Sequence, residues 1–106
     1  MATTAGALSN VSKTSTTVNN LSAAATAGTA PYTYQWYRST VSGFTPGGGN
    51  IISGATALSL ADTGLIPGTT YYYKVVATDS SATPVTGTSS QLSVLTDPPT
   101  LSPNQF

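Results

Sequence analysis

The 106 residues include three cations, three anions, no cysteine and no histidine. They suffice for one hydrophobic core, and they lack the groups that build disulfides, thiolate metal sites or imidazole bases. Three scattered cations make neither a basic stripe for phosphates nor a cationic membrane-surface helix, and no run approaches the roughly 18 apolar residues of a membrane span.

Glu is absent, while Thr, Ser, Ala, Gly and Pro are plentiful, a composition that favours many short strands in a sandwich or barrel. Residues 1–6 are small and polar and predict a loose N-terminal arm, without the basic start and apolar run of a signal peptide. Two strands are expected between Leu8 and Ala25, separated by the polar stretch from Lys13 to Thr17. Val18 and Leu21 stand three apart, so a bulge at Asn19-Asn20 is expected to turn both inward.

Ala27-Gly28-Thr29-Ala30-Pro31 reads as a turn. In Tyr32-Thr33-Tyr34-Gln35-Trp36-Tyr37-Arg38 alternation sends Tyr32, Tyr34 and Trp36 to the core and Thr33, Gln35 and Tyr37 outward. Residues 39–50 form a long connection containing Phe44 and Gly47-Gly48-Gly49, and Ile51-Ile52 a short strand or anchored loop. Leu58 and Leu60 mark a strand ending near Asp62, and Leu65-Ile66-Pro67-Gly68 a turn. From Thr70 to Asp79 a long strand turns Tyr71, Tyr73, Val75 and Ala77 inward and Tyr72, Lys74, Val76 and Thr78 outward. Residues 80–87 read as a loop and residues 91–96 as the last strand, with Leu92 and Val94 inward. Residues 97–106 carry Pro98, Pro99 and Pro103, which lack the donor that a sheet needs.

About seven short strands with turns between them predict an all-β, seven-stranded antiparallel Greek-key β-sandwich over residues 7–96. The segment Ala61-Asp62-Thr63-Gly64-Leu65-Ile66-Pro67-Gly68-Thr69-Thr70-Tyr71 and the apolar alternation after it resemble the E–F corner of bacterial fibronectin type III domains. Leu65, Pro67, Gly68, Thr69 and Tyr71 fill its Leu-x-Pro-Gly-Thr-x-Tyr pattern. Tyr37-Arg38-Ser39-Thr40-Val41-Ser42-Gly43-Phe44-Thr45-Pro46-Gly47 is similar to the C strand and following loop of the same modules. The resemblance implies a fibronectin type III or immunoglobulin-like sandwich, with the Tyr71 hydroxyl bonded back to the corner's backbone. It departs on strand B, where Ala23 replaces the family's tryptophan; the tryptophan, Trp36, lies instead on strand C, as in immunoglobulin-like domains.

Asp62-Thr63-Gly64 spells the aspartic-protease triplet, but Leu65 follows where that family has Ser or Ala, and the corner already accounts for these residues. Gly47-Gly48-Gly49 lacks the Lys-Ser/Thr pair of a phosphate loop. Asp62, Asp79 and Asp97 lack the spacing of a calcium loop, and Asp79-Ser80-Ser81 reads as a turn. Asn10-Val11-Ser12 and Asn20-Leu21-Ser22 match glycosylation acceptors, a pattern that a Ser-rich chain meets by chance.

No catalytic residue, cofactor or metal is therefore expected. The outward residues Gln35, Tyr37, Tyr72, Lys74 and Val76 form a candidate partner-binding face, since tyrosines among short polar residues suit protein or sugar contact. The alternative is that the rings only stabilise the sheet. Pro98, Pro99, Leu101, Pro103 and Phe106 form a candidate docking arm. The expectation is a non-catalytic structural or adhesive module, a decoration protein on a bacteriophage capsid or tail that meets protein subunits. The alternative is a spacer or binding domain of a secreted, extracellular bacterial carbohydrate-active enzyme or adhesin that meets neighbouring domains or a cell-surface glycan. Neither reading involves nucleic acid or membrane insertion.

Overall fold

The computed structural model describes residues 3–22 and 25–98. Among them the regular elements are seven strands and no helix: β1 (Leu8–Lys13), β2 (Val18–Ser22), β3 (Thr33–Ser39), β4 (Ser59–Asp62), β5 (Thr70–Thr78), β6 (Thr86–Thr88) and β7 (Leu92–Leu95). All pairings are antiparallel. β2 lies between β1 and β4 in one sheet, and β5 joins β3 to β6 and β7 in the other.

The two-residue rhythm of β3 and β5 decides the core. Along β5 buried and half-buried residues alternate without a break, as a strand covered on one face requires. Trp36 and Tyr73 are fully buried. They join Tyr71, Val75 and Val94 of the same sheet, Val18 and Leu60 of the other, and Leu65 from the β4–β5 corner in a single cluster. Side chains of both sheets thus share one interior, the arrangement of a β-sandwich. The indole Nε1–H of Trp36 donates to the Ala57 carbonyl at 2.8 Å, so burying the ring leaves no orphan donor.

β6 and β7 occupy one side of β5 in succession, β6 beside its C-terminal part and β7 beside its N-terminal part. Between them the Ser89 hydroxyl accepts from the Val75 N–H at 2.9 Å, and the Ser89 N–H donates to the Val75 carbonyl. A side-chain oxygen thus carries the ladder across the break. Residues 80–87 were expected as one loop; β6 takes Thr86 and Gly87 from it. On the other side of β3, residues 50–55 run along its edge: Arg38 N–H donates to Asn50 O, Ile52 N–H to Trp36 O and Trp36 N–H to Ala55 O. Ile51 bridges Tyr37, so the Ile51-Ile52 segment is anchored as expected.

Several sequence expectations are corrected. β2 has no bulge at Asn19-Asn20; the register slips on β1 instead, between Asn10 and Ser12. Asn20 points inward and Leu21 is 45% exposed, because a regular strand must alternate. Its Oδ1 accepts from Asn10 Nδ2 at 3.0 Å, while the Asn20 Nδ2 is buried without a hydrogen-bond partner. Leu58 lies outside β4 and is exposed, although its carbonyl still accepts from Ser22 N–H. Tyr32 and Tyr34, expected in the core, are half-buried at its rim. Their hydroxyls serve the neighbouring backbone: Tyr32 donates to Ala27 O, and Tyr34 accepts from Ala25 N–H.

The N-terminal segment is laid into the fold from Thr3 onward. Thr3 is buried, Thr4 exchanges two 2.9 Å backbone bonds with Thr26, and Ala5 packs against the core. The backbone of residues 3–5 passes so close to Gly87 that a Cβ there would lie 2.2 Å from the Thr3 carbonyl oxygen. Only glycine fits.

Candidate functional site

The cross-strand register assembles the candidate face. Gln35 stands opposite Val76, Tyr37 opposite Lys74, and Tyr72 between Ser39 and Ser93. All five candidate residues therefore share the outer face of the β3–β5 pair, and all are half-buried. Thr88 flanks Val76, and Ile51 flanks Tyr37.

Two of the polar members are engaged within the chain. Gln35 Nε2 donates to Ile52 O at 2.7 Å and to Trp36 O at 3.1 Å. Lys74 Nζ donates to Phe44 O at 2.8 Å and sits 5.3 Å from the centre of the Phe44 ring, a cation–π distance. In the sequence Phe44 stands only within a long connection. It is 7% exposed, and it lies over the outer face rather than in the core cluster. The signal that would have found it is an isolated large ring in a Gly/Thr/Pro loop, which must cover something to leave water.

Of the candidate docking arm, Pro98 is exposed; Pro99, Leu101, Pro103 and Phe106 lie outside the described residues. Asp97 is clamped before the arm begins. Its N–H donates to Thr14 O, its carbonyl accepts from Gly68 N–H, and its carboxylate pairs with Lys13.

At the β4–β5 corner the Tyr71 hydroxyl accepts from the Ile66 N–H at 2.9 Å, the backbone bond expected of it. Beside it, Asp62 of the Asp-Thr-Gly triplet is buried, held by Arg38 Nη1 at 2.7 Å and by the Tyr73 hydroxyl at 2.9 Å. Arg38 also lies 5.6 Å from the centre of the Tyr71 ring. Burial opposes the guanidinium charge, but Asp62 outweighs it and holds the Arg38 pKa above its ordinary value. Burial, reinforced by the Asp62 carboxylate, raises the Tyr73 hydroxyl well above the usual phenol range. Both carboxylate oxygens of Asp62 thus accept from internal donors. Alternation could have revealed this cluster, since Arg38 follows Trp36 by two and Asp62 follows Leu60 by two.

At the opposite end Asp79 ties loops together. Its Oδ1 accepts from Val85 N–H at 2.8 Å and from the Ser81 hydroxyl at 2.8 Å, and its Oδ2 from Thr29 N–H at 3.1 Å. The Val85 N–H, with the other donors, holds its pKa down at about 2. This is an enlarged version of the turn-former role expected for Asp79. Among the described residues no three metal-ligating side chains converge. Of the two glycosylation matches, Asn20 is buried and Asn10 donates to Asn20 and to the Ser12 and Asn19 carbonyls.

No protein-family model matches the chain, and no curated protein matches it.

Proposed function

We propose that the chain is a non-catalytic, fibronectin type III-like Greek-key module that decorates a bacteriophage virion, docking on capsid or tail subunits. The single observation carrying a contact role is the outer face of the β3–β5 pair, where Tyr37 and Tyr72 stand among Gln, Ser, Thr and Val. Its one cation, Lys74, is already bonded to Phe44 O. Such a face loses little on desolvation and offers rigid rings with polar tips. The fibronectin-like reading draws support from the distribution of β1, β2 and β4 in one sheet and β3, β5, β6 and β7 in the other, and from the Tyr71 corner.

A second reading is a spacer in a secreted bacterial enzyme or adhesin, for which Thr3 and Asp97 lie at opposite ends of the sandwich. Thr3 lies beside Gly28 and Gly87, near the end of β5, whereas Asp97 bonds Gly68 just before its start. Those points are separated by about 25 Å of strand at ~3.3 Å per residue, which suits modules linked in series.

Co-sedimentation of the purified protein with intact phage particles tests the first reading. The Tyr37→Ala and Tyr72→Ala variants should bind more weakly while unfolding near the wild-type urea midpoint. A midpoint loss without a binding loss would assign the rings to the sheet alone. Shortening the chain beyond Pro98 should also weaken binding; unchanged binding removes the arm from the interface. A native reading frame that continues on both sides of these residues into a secreted enzyme or adhesin would decide for the spacer.

A further inference from the structure

We infer that the loop of residues 40–49 is a latch on the β3–β5 outer face, with Phe44 as its bolt, and that it opens without unfolding the sandwich. Phe44 is buried to 7% exposure although it belongs to no strand. Its carbonyl and ring are both held by Lys74, which stands opposite Tyr37 and two residues beyond Tyr72. The closed latch therefore sits in the middle of the face that carries these tyrosines.

What fastens the loop to the sheet is made of side chains. Besides Lys74 and Phe44, Gly43 N–H donates to Gln91 Oε1 at 2.6 Å, Gln91 Nε2 to Ser42 Oγ at 3.2 Å and Val41 N–H to Ser39 Oγ at 3.0 Å. At its far end the loop hangs on Asn50, whose N–H donates to Gly47 O and whose Nδ2 donates to Thr45 O, while its carbonyl accepts from Arg38 N–H of β3; none of these bonds reaches β5. A hinge lies on each side of the bolt. Gly43 has φ +77°, a conformation that other residues adopt only at a cost. On the far side, a Cβ at Gly48 or Gly49 would meet nothing within 4 Å, so packing does not demand glycine there, and what glycine adds is freedom of the backbone. An element held by a few side-chain bonds and one ring belongs to the low-stability end of a fold, where local opening precedes global unfolding.

The inference stands on geometry and is independent of the virion reading, because its test needs no partner. The chain has two lysines, Lys74 under the latch and Lys13 on β1. The rates at which a small amine-acetylating reagent modifies each, read by mass spectrometry of the intact protein's peptides, report the latch against an internal reference. In the wild type Lys74 should react more slowly than Lys13. Phe44→Ala, which removes the ring, and Gln91→Ala, which removes only the two hydrogen bonds, should each speed Lys74 by roughly tenfold while leaving Lys13 unchanged, as loss of local closing predicts. Amide exchange at Gly43 and Phe44 should run ahead of exchange along β5. Lys74 reacting as fast as Lys13 in the wild type would overturn the inference. So would Lys74 staying slow in both variants, or the loop amides exchanging only in step with β5.

Discussion

Nη1 of Arg38 lies 2.7 Å from both carboxylate oxygens of Asp62, which places an ion pair at the margin of the core. Asp62 is nearly sealed while the Arg38 side chain keeps 35% of its exposure. Removing the arginine strands a buried carboxylate, a defect that costs ~3–5 kcal/mol when both partners are fully buried. Water can reach the vacated guanidinium site, so Arg38→Met should cost about 2–3 kcal/mol. Adding Asp62→Asn should recover part of that loss, since the stranded charge is then gone. Urea midpoints of the two single variants and the double variant measure this coupling; strictly additive losses would show that the pair does not act as a pair.

The Tyr73 hydroxyl donates to the same carboxylate, and burial beside a negative charge disfavours phenolate. Its folded pKa is therefore raised above the ordinary 10.0. Folding favours the protonated form, so this contribution is complete below pH 10.0 and is lost as pH rises beyond it. Tyr73→Phe should cost about 1.5–3 kcal/mol at neutral pH, the range for a hydrogen bond to a charged group. Above pH 10 its stability should fall less steeply than the wild type's. Urea unfolding at neutral pH and at stepped alkaline pH gives both numbers, and parallel curves would sink the assignment.

Asp79 gives the opposite sign. Its carboxyl titrates at about 2 in the fold against an ordinary 3.8, because backbone and hydroxyl donors favour the anion. That contribution is present above pH 3.8 and is lost as pH falls through about 2. Asp79→Asn should unfold at a lower temperature at neutral pH and show a shallower decline between pH 4 and 2. Thermal scans of both proteins across that interval decide the matter.

The strands that were legible in the sequence were those with one face sealed. The rhythm around Trp36 and Tyr73 settles their inward faces because a slip of one residue would put rings and polar groups on the wrong sides. The Tyr71 corner was legible through its turn residues. What failed was decided by partners distant in the chain. Asn20 faces inward because β2 runs without a bulge and the extra residue falls on β1, between Asn10 and Ser12, and no local pattern announces that. Val18 and Leu21 suggested a bulge on β2, but the outer face of that sheet leaves Leu21 exposed among Ser9 and Ser59. Phe44 looked like loop, since its burial depends on Lys74 of β5, thirty residues away. Thr3 to Ala5 looked like part of a free arm for the same reason, their seat being Thr26 and Gly87.

Trp36 is the single tryptophan and fully buried, so it reports on the core directly. Trp36→Ala should cost about 3–5 kcal/mol, as removal of a large buried ring does. Trp36→Phe should cost less, losing the Nε1 bond to Ala57 but keeping much of the packing. Native fluorescence should be blue-shifted and insensitive to iodide until the urea transition. Quenching in the native protein would place the ring in water and overturn the packed core.

Gly87→Ala tests whether the N-terminal strap belongs to the fold. The new Cβ would lie 2.2 Å from the Thr3 carbonyl oxygen and 3.0 Å from the Ala5 nitrogen, both backbone atoms. Neither can swing aside as a side chain would, so the strap must leave its seat, and its two bonds to Thr26 go with it. The expected loss is ~1–3 kcal/mol, the range for overpacking a tight site. Removing residues 1–5 should itself destabilise the wild type, because Thr3 and Ala5 cease to cover the interior. In the Gly87→Ala background the same truncation should cost little more, since the strap is already displaced. Urea midpoints for the four proteins close the cycle. A full additional loss on truncating the Gly87→Ala variant would mean that the strap adapts to the methyl group and that the close approach at Gly87 does not govern its seating.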